Sequence, residues 1–371
     1  MKPSIDMSAE KILTYPDVDS IIGAGYDLRA FTPRESIETS LDWFDLLQKN
    51  VFPADAGVRY YLAIRNGEVK ALLPVKHAQN GFIASVDALA NYYTSLYTPL
   101  VAQTIDAASN QSIHALIEAA ANDREIRTAP SVMRFAPMDI DSPAYAALFE
   151  ALQAIGWKPF RFLCFGNWFL EVDSDWEGYL KKRSAHLRST IKRMNKKFFA
   201  DGGNFEIASD MTDIENKIRA FQQVYSASWK IPEPYPEFIP ALIRRLAGLG
   251  MLRLGIASIK GVAIAAQLWI AGDGKASIYK VAYHENYAPY SPGTILTSHV
   301  LQHVIEQDGV REVDFLMGDD KYKQIWMSHR RERWGIVAYN PRTFVGLALF
   351  LKESAWREIK EAKNTIAKLI G

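Results

Sequence analysis

The chain has 371 residues, 49% hydrophobic and 23% charged, with a formal net charge of +1. That length exceeds what one core usually serves, so two globular domains are expected, and the composition excludes a disordered or fibrous chain. The near-neutral charge gives no bulk preference for nucleic acid, and the lone Cys164 excludes an internal disulfide.

The opening residues 1–11 lack a basic flank followed by an apolar run, so a reducing cytoplasm is the expected compartment. Residues 59–66, the Asn66-Gly67 turn and residues 69–77 read as a hairpin, because Asn-Gly supplies the positive backbone angles of a tight turn. A third strand is expected near 81–89. The segment Asn91-Tyr92-Tyr93-Thr94-Ser95-Leu96-Tyr97-Thr98-Pro99 follows without a glycine turn opening a helix. Aromatic clusters of this kind are more often core than site; the functional alternative makes Asn91, Tyr92 and Tyr93 walls of an acceptor cleft. Residues 142–155 predict a helix with Pro143 in its first turn and Gly156 closing it.

A strand over 165–172 begins the second half. Residues 175–200 predict one long helix with an apolar stripe of Leu180, Leu187, Ile191, Met194 and Phe198. Its other faces hold Lys181, Lys182, Arg183, Arg188, Lys192, Arg193, Lys196 and Lys197 with no acid among them. Such a run is usually a solvated face. The sharper alternative is an anion site, with Arg188 and Arg193 contacting a phosphorylated acceptor or an anionic lipid surface. No aromatic platform interleaves these charges, which disfavours nucleic acid. Helices over 212–229 and 235–249 flank the turn Ile231-Pro232-Glu233-Pro234. Strands over 251–259, 262–270 and 276–283, with a Lys260-Gly261 turn, then repeat the earlier layout, an internal duplication of architecture.

Residues 277–340 read as strand, turn, helix, strand, polar loop and strand. The strand 277–283 alternates with period two, and the turn is Ala288-Pro289-Tyr290-Ser291-Pro292-Gly293-Thr294. The helix 294–307 carries Ile295, Leu296, Val300, Leu301, Val304 and Ile305, and Gly309 closes it. An anion suits the handover from strand to helix, where unpaired N–H groups point outward. A strand over 310–317, the loop Gly318-Asp319-Asp320-Lys321-Tyr322-Lys323 entering a short helix, and a strand over 334–339 complete the unit. The apolar runs 261–271 and 344–351 are shorter than the roughly 18 residues of a membrane span. The latter leads into an amphipathic helix with Leu351, Ala355, Ile359, Ile366 and Ile370 along one side, which suits either a membrane surface or its own domain.

Tyr287 with Tyr290-Ser291-Pro292-Gly293-Thr294, Asp314-Phe315, Gly318-Asp319, Tyr322-Lys323 and the basic helix Leu187-Arg188-Ser189-Thr190-Ile191-Lys192-Arg193 together resemble the GNAT superfamily of acyl-CoA N-acyltransferases. The nearer likeness is to the branch described as cellulose-biosynthesis-type acetyltransferases, relatives of the Fem peptidyltransferases. It spans residues 165–340. The superfamily's diphosphate loop has a Gln or Arg followed by paired small residues, whereas here only Gly293 is present and Pro292 lacks an N–H.

The resemblance implies an α/β (mixed α+β) fold of two tandem GNAT-like domains, each a mixed twisted sheet flanked by helices. The expected division is a degenerate domain over 1–164, an acyl-CoA-binding domain over 165–342 and a C-terminal amphipathic helix over 343–371. The implied donor is acyl-CoA, acetyl or long-chain, held by Lys280, Val281, Ala282, Tyr290, Ser291, Gly293 and Thr294. The implied acceptor is the amine of an envelope amino sugar or of an amino lipid such as a sphingoid base. Two rivals stand beside it: a Fem-like transferase using aminoacyl-tRNA, and a non-catalytic scaffold. DNA is not an expected partner. The expected location is cytoplasmic, with peripheral contact to the inner membrane face left open.

Transfer to an amine requires a polarised thioester carbonyl, removal of protons from the amine and stabilisation of the leaving sulfur. His284 and Glu285 follow the central strand, where a base would meet the acyl carbon, and histidine's ordinary pKa of about 6.5 suits that work. His-Glu-Asn is equally ordinary turn composition. By resemblance Tyr322 and Lys323 are the branch signature, the tyrosine protonating sulfur and the lysine holding a phosphate or carbonyl oxygen; the bland alternative is a capped helix start. Asp314 is either a substrate contact or, on the face opposite Val313 and Phe315, simply solvated. The histidines lack ligand spacing and no Gly-x-Ser-x-Gly elbow occurs, so neither a metal centre nor a serine hydrolase is expected.

Overall fold

The computed structural model describes residues 10–53, 57–102, 107–123 and 128–370. Its strands are β1 (Lys11–Tyr15), β2 (Val58–Arg65), β3 (Glu68–Asn80), β4 (Ile83–Ala88), β5 (Leu100–Val101), β6 (Val132–Asp139), β7 (Lys158–Glu171), β8 (Gly203–Ala208), β9 (Leu252–Ile259), β10 (Val262–Gly272), β11 (Lys275–Tyr283), β12 (Glu312–Met317) and β13 (His329–Tyr339). Its α-helices are α1 (Val18–Gly23), α2 (Leu41–Asn50), α3 (Ala107–Ala121), α4 (Pro143–Ala154), α5 (Trp176–Lys181), α6 (Ala185–Ala200), α7 (Ile214–Ser226), α8 (Phe238–Gly248), α9 (Pro292–Glu306), α10 (Lys321–Trp326) and α11 (Phe344–Ile370).

The chain divides into two compact units, one of residues 1–32, 54–164 and 333–371, the other of 33–53 and 165–332. This differs from the expected boundaries in two places. Residues 33–53 join the second unit because Trp43 on α2 sets its ring edge against Phe238 (5.5 Å) and Tyr279 (6.1 Å). Residues 333–342 join the first because Arg333 to Tyr339 pair antiparallel with β6.

In the first unit the sheet runs β1-β2-β3-β4-β6-β13, with β5 on β3, and is antiparallel except for β4 with β6. The β2–β3 turn has Asn66 and Gly67 at φ 54° and 78°, the geometry that Asn-Gly was expected to supply. The helix α3, unmarked by any sequence signal, packs on α4, β2 and β3. The helix α11 lays Phe350 against Phe160 (5.9 Å) and Arg357 over the same ring, with Arg357 Nη2 donating to the Arg161 carbonyl (2.9 Å). The side expected to pack or dock, Leu351, Ala355 and Ile359, is therefore the exposed one. The side chains of Ile366 and Ile370 lie outside the described residues.

In the second unit the sheet runs β7-β12-β11-β10-β9-β8, antiparallel except for β11 with β12, the same arrangement met in the first. Lys260 and Gly261 turn between β9 and β10 at φ 50° and 82°. One face carries α6 and α9, whose Leu187, Ile191, Met194 and Phe198 share a core with Ile295, Leu296, Val300 and Leu301. On the sheet, α7 packs against β10 and β11. The expected single helix 175–200 is two, because the Ser184 hydroxyl accepts from Leu187 N (3.2 Å) and starts α6 afresh. The strand β7 begins at Lys158, earlier than residue 165, and runs through the boundary of the division.

Candidate active site

The site grows from a split in the second sheet. The strand β11 pairs with β12 only at Lys275↔Glu312, Ala276↔Val313 and Ser277↔Asp314. Beyond that point β11 continues to Tyr283 on β10, with Val281 opposite Gln267 and Ala282 opposite Ala266. The strand β12 instead kinks: Leu316 takes φ 51° and the register with β7 shifts between Asp314 and Met317. A positive φ is unfavourable for leucine, so something must hold it there.

Asp314 does so. Its Oδ1 accepts from Leu316 N (2.7 Å) and Asn167 Nδ2 (2.6 Å), and Asn167 Nδ2 also donates to the Leu316 carbonyl (2.9 Å). The other oxygen meets Arg331 (2.5 Å) and Lys275 (3.2 Å). Only 1% of Asp314 is exposed, which corrects the expectation of a solvated face. Burial alone would raise its pKa, but Lys275 and Arg331 outweigh burial and hold the carboxyl well below its usual range.

Lys323 completes the kink. Its ammonium donates to the carbonyls of Phe315 (2.8 Å) and Met317, where β12 has left β11. Burial, opposed by Asp320 and Asp314, lowers its pKa. Lys323 thus grips main chain, in place of the phosphate or acyl oxygen assigned to it from resemblance. Asp319, from the same signature, accepts from Trp168 Nε1 (2.5 Å) and Arg330 Nη2 (2.8 Å), anchoring the loop.

Beside the split runs a buried polar chain that the sequence reading missed. Trp269 Nε1 donates to Gln267 Oε1 (2.9 Å), and Gln267 Nε2 donates to the Gly293 carbonyl (3.1 Å) and Thr297 Oγ1 (2.8 Å). Thr297 Oγ1 lies 3.1 Å from the Tyr322 hydroxyl. A lone glutamine inside the apolar run 262–271 was the available signal, since a buried amide must find partners. Tyr322 exposes 40% of its surface, yet its hydroxyl lies inside, and burial raises its pKa against the opposing hydrogen bond with Thr297. The phenol therefore keeps its proton near neutrality.

The donor turn has a defined form. Ser291 stands at φ 49°, Pro292 opens α9, and a Cβ on Gly293 would meet Tyr283 Cδ1 at an ordinary contact distance of 3.6 Å. The Tyr290 hydroxyl donates to Asp201 (2.7 Å). Thr294 lies in the first turn of α9, half-buried. His284 caps the turn, its Nδ1 accepting from Asn286 N (3.3 Å), which engages a lone pair that a base would need. Glu285 is exposed and its main-chain N–H reaches the Ala227 carbonyl (3.3 Å).

Past the split, Lys280 pairs with Glu233 (2.7 Å), whose Oε1 also accepts from Tyr225 (2.5 Å). Glu233 belongs to the Pro-rich turn and was not singled out from sequence. Around the strand ends stand exposed apolar side chains: Trp229, packed on Tyr283 at 4.6 Å, Ile231 at 85% exposure, Met317 and Ile325.

The matching place in the first unit is filled. There β4 pairs with β6 at Ser85↔Val132, Val86↔Met133 and Asp87↔Arg134, and Tyr97 N then donates to the Pro137 carbonyl (2.6 Å). Tyr93 and Tyr97 are fully buried, so Tyr93 is core and cannot wall a cleft; Tyr92 is exposed, and Asn91 Oδ1 accepts from Tyr93 N (3.0 Å). Among the described residues no group of three His, Cys, Asp or Glu is placed to hold a metal.

Residues 185–324 match the acetyltransferase (GNAT) domain family, so the second unit carries an acyltransferase domain of GNAT type. A search of the curated proteins finds no match. Among solved structures the chain is similar to FemX, at 11% identity and TM-score 0.59, covering 88% of this chain and 97% of that one. It is also similar to the C-terminal domain of a lysylphosphatidylglycerol synthetase from Agrobacterium fabrum, at 14% identity and TM-score 0.54, covering 86% and 92%. A conserved protein of unknown function from Bacteroides thetaiotaomicron aligns at 11% identity and TM-score 0.51, covering 89% and 100%. At such identities these likenesses establish the fold.

Proposed function

We propose that the protein transfers an acyl group from acyl-CoA to an amine by direct attack on the thioester, without a covalent enzyme intermediate. The observation that carries this reading is the end of β11–β12 pairing at Ser277 and Asp314, which leaves room for a pantetheine arm along Val281 and Ala282. The phosphates would then lie at the turn before α9, beside Gly293.

The chemistry falls to Tyr322. Thr297 can accept from Gln267 and donate to the phenol oxygen, which frees the phenol proton for the departing sulfur. A tyrosine with raised pKa is a poor acid toward a thiolate of ordinary pKa near 8.5, so it stabilises the anion by hydrogen bonding; CoA leaves as the thiolate and the proton shed by the attacking amine passes to solvent. Lys323 and Asp314 act by holding β12 away from β11.

The exposed Trp229, Ile231, Met317 and Ile325 favour an amphiphilic acceptor, such as a sphingoid-type amino lipid, over the free amino sugar suggested by the cellulose-type branch. No helix among the described residues is long and apolar enough to cross a membrane. Labelled acetyl-CoA and palmitoyl-CoA offered with sphinganine or glucosamine test this. The expected outcome is N-acyl sphinganine and free CoA. Thiol release with neither amine would remove the acceptor assignment, and absence of binding to either donor would remove the reaction.

A further inference from the structure

The face of α6 turned from its core is dominated by cations, with Ser189, Phe199 and Ala200 among them. At 3.6 residues per turn, Lys192, Arg193 and Lys196 project opposite Leu187, Ile191, Met194 and Phe198, with Arg188 and Lys197 on the two borders. Arg188, Lys192 and Lys196 succeed one another at four-residue spacing, as do Arg193 and Lys197, so like charge stacks on like charge and the helix is weakened by its own surface. Among the described residues no carboxylate forms an ion pair with any of these five. Asp201, just beyond the helix, is committed to the Tyr290 hydroxyl.

The patch points somewhere particular. Lys197 Nζ lies 4.3 Å from the centre of the Tyr290 ring and 3.5 Å from the Pro289 carbonyl, and α6 packs on α9 and on residues 285–290. Arg193 stands one helical turn earlier, slightly further round toward the solvent face. The turn they adjoin is poor in main-chain donors, since Pro292 has no N–H.

We propose that the Arg193–Lys197 edge of α6 binds the phosphates at the nucleotide end of CoA, supplying from side chains the positive charge that the loop before α9 lacks. This assignment rests on the acyl-CoA reading above. Phe199 is the one large apolar side chain on the exposed surface of α6, so the helix offers little to insert into a bilayer. The five cations fall within about 14 Å of helix, the reach of a nucleotide rather than of a folded RNA.

The test compares acetyl-CoA, 3′-dephospho-acetyl-CoA and phosphate-free acetyl-pantetheine as ligands of the full chain and of its R193E/K197E variant. Both side chains face solvent, but the double reversal keeps like charges at four-residue spacing and gives up the Lys197–Tyr290 contact, so R193Q/K197Q serves as a neutral second variant and the melting temperatures of all three proteins are compared. The expected result is about tenfold weaker acetyl-CoA binding, a shallower salt dependence and unchanged acetyl-pantetheine binding. Equal acetyl-CoA affinity in parent and variants overturns the phosphate site while leaving the transferase intact. A parent that binds none of the three ligands removes both. Salt-sensitive retention of tRNA that the variant alone loses, with CoA binding unmoved, also overturns the proposal, in favour of a nucleic-acid-borne donor.

Discussion

The Tyr322 hydroxyl stands 3.1 Å from Thr297 Oγ1, tying the first turn of α10 to the helix that follows the donor turn. Tyr322→Phe keeps the ring, stacked at 6.2 Å on Phe315, and deletes only the donor. Its kcat should fall by about a hundredfold with little change in melting temperature or donor KM. Steady-state assays with acetyl-CoA check this; an unchanged kcat would strip Tyr322 of its role.

Lys323→Met leaves two main-chain carbonyls without their donor at the β12 kink. We expect a loss of about 1–3 kcal/mol in unfolding free energy, together with weakened donor binding as β12 relaxes toward β11. Lys323→Arg should recover part of both. A variant that loses kcat alone, with stability and donor affinity intact, would return Lys323 to direct chemistry.

Asp314→Asn removes the buried one of the two carboxylates, Asp314 and Glu312, that Arg331 and Lys275 share, and losing its charge-assisted hydrogen bonds should cost about 1–3 kcal/mol. Because the native carboxyl titrates below its unfolded value of 3.8, its stabilisation is present above that pH and is lost as pH falls further. Urea titrations of parent and variant should differ by the full amount near neutrality and converge in acid. A variant as stable as the parent near neutrality would show that the cluster contributes nothing net.

In the first unit, His77 Nε2 lies 2.8 Å from the Tyr61 hydroxyl, which donates to Asp123 (2.5 Å), while His77 Nδ1 is buried without a hydrogen-bond partner. Burial, with Arg59 adding to it and Asp123 opposing, lowers the imidazole pKa from 6.5 to about 4. The unfolded chain then binds the proton first, so stability is full above pH 6.5 and declines as pH drops toward about 4. The decline should be on the order of 1–3 kcal/mol, and His77→Phe should flatten it. An identical pH slope in that variant would assign the effect elsewhere.

The hairpins, the central strand, the donor turn and α9 were legible because each depends on local signals: Asn66-Gly67, Lys260-Gly261, period-two alternation and a spaced apolar stripe. What was illegible depends on partners far along the chain. Asp314 looks solvated by alternation alone, and only the arrival of Lys275, Asn167 and Arg331 makes its burial tolerable. Gln267 sits in an apolar run that reads as featureless until Trp269, Gly293 and Thr297 surround it. The break between α5 and α6 turns on one serine hydroxyl within a sequence whose spacing is otherwise helical. The assignment of α2 to the second unit had no local signal at all.

The pairing of Arg333 to Tyr339 with β6 gives the first sheet a closing strand encoded after nearly the whole of the second unit. During synthesis at the ribosome, β6 must therefore wait with an open edge while almost two hundred further residues emerge, roughly ten to forty seconds at ordinary elongation rates. Over that interval the nascent protein is exposed to strand-mediated aggregation, and cutting the gene at the midpoint would make the exposure permanent.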